Sequence, residues 1–188
     1  MKAIPTELPG VLIIEPDVHH DPRGFFLETY HQRKYVELGL PGPLVQDNHS
    51  HSVKGTLRGL HAQLERPQGK LVRAVHGEMF DVAVDIRRGS RTFGRWVGVV
   101  LSAQNFRQFW IPPGFAHGFC VLSEQVDVEY KCSDFYNPGD ELTVLWSDPE
   151  IGIDWPVRNP ILSAKDAAAL PLARVMERLP VLDAVGRA

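Results

Sequence analysis

The run from Gln46 to Lys70 reads QDNHSHSVKGTLRGLHAQLERPQGK. It gathers Asn48, His49, His51, Arg58, His61, Gln63 and Lys70 into one span, punctuated by Gly55, Gly59 and Gly69. A stretch built only to fill a core would be richer in Val, Ile and Leu. Here apolar residues are the minority, and the polar ones are those that bind anions, pass protons or ligate metals. The span is therefore read as the floor of an active site. His61 offers an imidazole, whose unperturbed pKa of about 6.5 lets it gain or lose a proton near neutrality. Lys70 is either an ordinary surface lysine or, if held beside a developing enolate, an electrostatic stabiliser; losing one such donor typically costs about 3–4 kcal/mol. Tyr130, farther along, is either a packed tyrosine with one hydrogen bond or a buried phenol acting as general acid. Spacing alone leaves these readings open.

Metal chemistry is the rival. Pro112 to His117, PPGFAH, fits P-x-G-x-x-H, one half of the signature of cupins, which are double-sheet jelly rolls. The other half normally supplies H-x-H and a nearby Glu. This chain has His61-Ala62-Gln63 and Glu65 there, and an amide is a poor ligand for Zn, Fe or Mn beside imidazole or carboxylate. His49-Ser50-His51 is an alternative pair, since alternate strand residues share a face, but further ligands would have to come from elsewhere. The residues thus favour proton transfer without a metal.

The elements that must hold these groups read mainly as strands. Residues 1–30 are strands and turns, with VLIIEP as a β-type run and a turn at Pro22 and Gly24. Residues 29–39 suit a short helix ending at Gly39, and Pro41, Gly42 and Pro43 break the chain. From Leu44 to about residue 150 the pattern is β. Phe80, Val82, Val84 and Ile86 alternate with Asp81, Ala83 and Asp85, the period of a half-buried strand. In QVDVEYKC, Val126, Val128 and Tyr130 share one face, which points the phenol inward. LTVLWS reads as a further strand. After Pro160, ILSAKDAAALPLARVMERL reads as helix, and Ser163 with Asp166 matches a capping box. Residues from about 181 to 188 read as a tail. Many short strands with Gly/Pro turns indicate a sandwich or barrel. The expectation is one domain over 1–188, with N-terminal strands and a short helix in 1–45, a jelly-roll core in 46–150 and a C-terminal helical segment in 160–188.

Composition sets limits on partners. The chain has 188 residues, 44% of them hydrophobic and 23% charged, as in an ordinary globular protein. A formal net charge of -3 argues against a nucleic-acid polymer, which usually needs a basic face. Cys120 and Cys132 form no CxxC pair, which suits a reducing compartment. The N-terminal apolar run VLII is cut off by Glu15 and Pro16, so neither a signal peptide nor a membrane span is expected there, and a cytoplasmic location is.

QDNHS, LRGLH, QGKLVR, GEMFDVAVDIR, SRTFG, WIPPGFAHGF, the EYK around Tyr130 and LSAKD occur in that order along most of the chain. As a set they resemble the dTDP-4-dehydrorhamnose 3,5-epimerase family. The resemblance implies a mainly β, cupin-type double-sheet jelly roll with short helices, no catalytic metal and no cofactor. It implies a dTDP-4-keto-6-deoxy sugar substrate, inverted at C3 and C5. By resemblance His61 is the base, Tyr130 the acid, Asp166 the carboxylate partner of the base, and Lys70 and Arg58 line the sugar and its keto oxygen. Arg23, Phe26, Glu28, Gln46, Asn48, His117, Glu141 and Lys165 match nucleotide-binding positions, and Tyr136 the aromatic that stacks on the thymine base. The resemblance also implies a homodimer with exchanged N-terminal strands, so that some binding residues come from the partner chain. Two points strain the match. Ala62 stands where the family often has an aromatic; in a strand it would point away from His61. Arg58 and His61 have opposite parity, so a regular strand would separate them unless Gly59 supplies a bulge.

Overall fold

Alternation of apolar and polar residues builds thirteen strands in the computed structural model, which describes residues 1–182; residues 183–188 of the expected tail lie outside the described residues. The strands are β1 Lys2–Pro5, β2 Leu12–Glu15, β3 Val18–Asp21, β4 Gly24–Leu27, β5 Gln46–Val53, β6 Leu57–Gln63 and β7 Lys70–His76. There follow β8 Glu78–Asp85, β9 Trp96–Ser102, β10 Gln108–Ile111, β11 Phe115–Val121, β12 Gln125–Cys132 and β13 Glu141–Thr143. One sheet runs β1-β2-β10-β7-β12-β5 and the other β13-β6-β11-β8-β9, while β3 and β4 form a separate hairpin. The pairings within these sheets are antiparallel. This is the mainly β jelly roll expected from the sequence.

Three apolar clusters hold it together. Between the sheets lie Val72, Ala74, Phe109, Val126 and Val128 from one wall and Met79, Ala83, Phe115, Phe119 and Val121 from the other. Behind the five-stranded sheet, Ala62, Val82, Val84 and Ala116 meet Leu172, Val175 and Leu179 of the C-terminal segment. Outside the six-stranded sheet, Leu71 and Trp110 pack on Tyr35 of helix α1, Gln32–Glu37. Among the described residues no helix is long and apolar enough to cross a membrane.

Three local expectations change. β8 is not half-buried: Asp81, Ala83 and Asp85 are as inaccessible as Val82 and Val84, because the face that alternation assigned to solvent, with Met79 and Ala83, looks between the sheets, while the C-terminal segment covers Val82 and Val84 on the other face. Its carboxylates are tolerated by pairing. Asp85 takes two bonds from the Arg87 guanidinium, at 2.9 and 2.8 Å, and Asp81 pairs with His117. The C-terminal helix is broken into α2, Ala164–Ala167, and α3, Leu172–Val175, followed by a 3₁₀ turn at Met176–Arg178. Pro171 has no N–H to continue the first piece, and Leu170 pairs instead with Val144. LTVLWS yields only β13 and that single bridge at Val144.

The decisive irregularity lies between β6 and β11. His61 sits opposite His117 and Arg58 opposite Phe119, so Gly59 and Leu60 intervene on β6 where only Gly118 intervenes on β11. Since residues 117 and 119 share a face, this bulge turns Arg58 and His61 to the same side despite their opposite parity. Gly59 makes it with φ +125°, and a Cβ there would lie 2.5 Å from Gly118 Cα and 2.8 Å from the His117 carbonyl. Both obstacles are backbone, so neither moves cheaply. Gly59→Ala is expected to destabilise the fold by about 2–4 kcal/mol, read as a lower denaturant midpoint. Full stability with the variant would mean that the bulge tolerates a side chain.

Candidate active site

The two sheets face each other across a polar end of the barrel. On β12, Tyr130 and Cys132 point inward after Val126 and Val128. Opposite them in register on β5 stand Asn48 and Gln46, and on β7 Val72 and Lys70. On the other wall β6 brings His61 and Gln63. A cavity of about 280 Å³ is lined by Gln46, Asn48, His61, Lys70, Tyr130, Tyr136 and Glu141, together with Gln63, Gln68 and Cys132. His61 and Tyr130 thus approach one space from opposite sheets.

His61 is held from behind. Ile161 bonds to the chain entering β6, its N–H donating to Gly55 at 2.9 Å and its carbonyl accepting from Leu57 at 3.0 Å. This tether delivers α2. Ser163 Oγ caps it by accepting from Asp166 N at 3.1 Å, while the Asp166 carboxylate turns away to His61, with Oδ1 2.6 Å from Nε2. The Ser163 cap and the contact of Asp166 with His61 therefore coexist. Burial pushes the Asp166 carboxyl up, but the hydrogen bond and charge of His61 and the Ser163 bond outweigh it and leave the net below the usual value.

Burial likewise pulls the Lys70 ammonium below the ordinary lysine value, with the charges of Glu141 and Asp81 opposing. It pushes the Tyr130 phenol up, with Arg58 pulling the other way. Arg58 Nε donates to Ser52 Oγ at 3.0 Å and Nη2 to the His51 carbonyl at 3.2 Å. His117, directly across from His61, pairs with Asp81. At the mouth, Glu141 joins Lys165 Nζ at 2.8 Å and accepts from the Tyr136 hydroxyl at 3.3 Å, while Tyr136 N donates to Gln46 at 2.8 Å.

Gln63 fills the place of the missing cupin histidine with a structural task. Its amide donates to the Asn137 carbonyl at 3.0 Å and accepts from Asn137 N at 3.3 Å, which fixes the loop carrying Tyr136. Ala62 points away from His61 into the cluster behind the sheet. Arg58, His117 and Lys165 stand next to the cavity without lining it, and three expected contacts lie away from it within one chain. Arg23 is 90% exposed and pairs with Asp21, Phe26 is 71% exposed, and Glu28 pairs with Lys34 at 2.8 Å, all on or next to the β3–β4 hairpin. Sequence reasoning missed Asp81, which alternation assigned to solvent, and Cys132, which no motif marked.

A family profile described as dTDP-4-dehydrorhamnose 3,5-epimerase matches residues 5–174. The chain belongs to the dTDP-4-dehydrorhamnose 3,5-epimerase family. It is 60% identical over 168 residues to the enzyme of that name from Shigella flexneri, covering 88% of this chain and 93% of the relative. The Pseudomonas aeruginosa enzyme of that name is 58% identical, with the same coverage. A crystal structure of dTDP-6-deoxy-D-glucose-3,5-epimerase RmlC from Legionella pneumophila, in complex with dTDP-4-keto-L-rhamnose, superposes with a TM-score of 0.94. It is 53% identical and covers 97% of this chain and 99% of that one. The chain is accordingly an isomerase, a carbohydrate epimerase with the cupin-like fold of its family.

The depressed carboxyl of Asp166 makes a stability prediction for this epimerase. A carboxylate whose folded pKa lies below its unfolded value of about 3.9 stabilises the fold above that pH and loses the contribution as pH falls through the folded value. Asp166→Asn is expected to lower the unfolding free energy at neutral pH by about 1–3 kcal/mol and to flatten the acid limb of the stability curve. Urea melts at a series of acidic pH values check this; an unchanged acid limb would show that the pair adds nothing to the fold.

Proposed function

We propose that this chain inverts C3 and C5 of dTDP-4-dehydro-6-deoxy-D-glucose to give dTDP-4-dehydro-L-rhamnose, by proton transfer through an enolate and without metal or cofactor. The observation that carries the reading is the arrival of an imidazole and a phenol from opposite sheets in one cavity, with an ammonium beside them. A C4 ketone acidifies the C–H bonds on both neighbouring carbons. His61 removes a proton on one face, and Tyr130 returns one to the other. Asp166 holds the His61 ring in one tautomer and supports the imidazolium as it forms, as the carboxylate of a triad does. Lys70 and Arg58 take the transient charge on the keto oxygen.

Gln46, Asn48, His117, Glu141 and Lys165 bind the nucleotide sugar, and Tyr136 stacks on the thymine. Arg23, Phe26 and Glu28 serve the same ligand from a second copy in a cytoplasmic homodimer. Support for this comes from the hairpin, which leaves Phe25 57% and Phe26 71% exposed in the single chain and holds the Arg23 guanidinium at the surface, paired only with its neighbour Asp21 among the described residues, where a diphosphate can exchange for that carboxylate. The ligand named in the Legionella structure agrees with a dTDP-keto sugar at this fold.

Solvent deuterium decides the reaction. Turnover in D₂O is expected to place label at both C3 and C5 of the product; label at one carbon would make the chain a single-centre epimerase. His61→Ala is expected to lose about 10²–10⁴-fold in turnover while still binding dTDP in calorimetry, and retained turnover would remove His61 as base.

The two shifted groups set the alkaline limb. Lys70 acts as the ammonium and loses its proton below the ordinary lysine range, whereas the Tyr130 phenol keeps its proton beyond the ordinary tyrosine value. Turnover is therefore expected to fall first with Lys70. Lys70→Arg, charged at all accessible pH, is expected to move the limb upward at reduced kcat. A limb that stays in place would assign it to another group.

A further inference from the structure

We propose that Asp81 is a positioning residue of the epimerase site, acting through His117 by holding that imidazole in one tautomer and one ring orientation beside His61. The inference rests on the function proposed above. Asp81 lies on β8 at 0% exposure, on the inward face with Met79 and Ala83. Its Oδ1 is 2.6 Å from His117 Nε2, and its Oδ2 has no hydrogen-bond partner among the described residues. A carboxylate kept there is costly, since burying a charge is unfavourable unless it is paired; packing alone would be served by an apolar residue of similar volume. What Asp81 does make is a single strong bond to a ring whose neighbour across the ladder is His61.

That bond has a consequence for the ring. With Nε2–H donated to Asp81, Nδ1 is the nitrogen left for a ligand. It makes no hydrogen bond among the described residues, yet it is not one of the sealed, partnerless buried atoms, so it keeps solvent access. His117 shares its strand face with Phe115 and Phe119, which point between the sheets, so this access opens on the inside of the barrel. Without Asp81 the ring would be free to flip and to carry its proton on either nitrogen. The charged and titratable groups facing the pair are His61 and Arg58 from β6, backed by Asp166 from α2, Lys70 from β7 and Tyr130 from β12.

Asp81→Asn keeps the shape, removes the charge and lets an amide N–H face the ring, which permits the wrong tautomer. It is expected to lower kcat/KM by about 10²-fold, as a misaligned group in a site does, with kcat reduced and KM for the keto sugar nucleotide raised because His117 is one of the groups that hold it. Nitrogen-15 NMR of the free protein is expected to show His117 protonated at Nε2 in the wild type and mixed in the variant. If Asp81 works through His117, Asp81→Asn adds no further loss in a His117→Gln background. Wild-type kcat in Asp81→Asn, a full further loss in the double variant, or a wild-type His117 protonated at Nδ1 would each overturn the proposal. The NMR reading needs only the wild type, so it decides even if the variant fails to fold. A wild type that exchanges no deuterium into the keto sugar sinks the functional reading, whereas an active wild type with an indifferent Asp81→Asn sinks the positioning role alone.

Discussion

Between β6 and β11 two backbones meet with no room for a side chain, and the chemistry of the interior follows from that contact. Gly59 faces Gly118 so closely that a methyl group on either would strike main-chain atoms. The extra residue that this contact accommodates sets Arg58 and His61 on one face and puts His61 directly across from His117. A strand of regular pleat would have sent one of the two side chains outside, since side chains alternate strictly along it. The bulge is thus the point at which a generic β-barrel becomes a site with cationic and basic groups gathered on one wall.

The remaining parts are fixed by buried carboxylates, each tying together segments that strand pairing alone would leave loose. Asp140 accepts from three successive backbone N–H groups, those of Leu64, Glu65 and Arg66, at 3.1, 2.8 and 3.0 Å, and so closes the loop that follows β6. Asp148 accepts from Leu172 N at 2.6 Å and seats α3 behind the five-stranded sheet. Asp166 reaches from α2 to His61. A buried carboxylate without donors would be strongly unfavourable, so each of these contacts restricts the chain to arrangements in which the donors are present. The site inherits its rigidity from these joints as much as from the apolar clusters.

Much of this architecture could be read from residue types. Alternation and Gly/Pro turns specified the strands, and Val126, Val128 and Tyr130 gave the direction of the phenol, because a two-residue period survives almost any packing. Burial on both faces of β8 was not readable: Asp81 and Asp85 look like solvent-facing residues, yet their face looks toward the other sheet, while a segment ninety residues downstream covers Val82 and Val84 on the opposite face. The break at Pro171 was written in the chain, yet the helix-forming run around it outweighed one proline. Arg58 could be placed only conditionally, since a bulge is a property of two strands and a sequence shows one. Arg23, Phe26 and Glu28 carried a motif but no indication that a single chain leaves them apart from the cavity.

The pairing of His61 with Asp166 spans 105 positions. A ribosome therefore releases every wall of the barrel before it releases the group that steadies the imidazole. A nascent chain that has all thirteen strands still lacks α2 and, with it, both the carboxylate paired with His61 and Lys165, the cation that joins Glu141 at the cavity mouth. The walls of the cavity thus come first in the chain, and the short helix that steadies its imidazole after them.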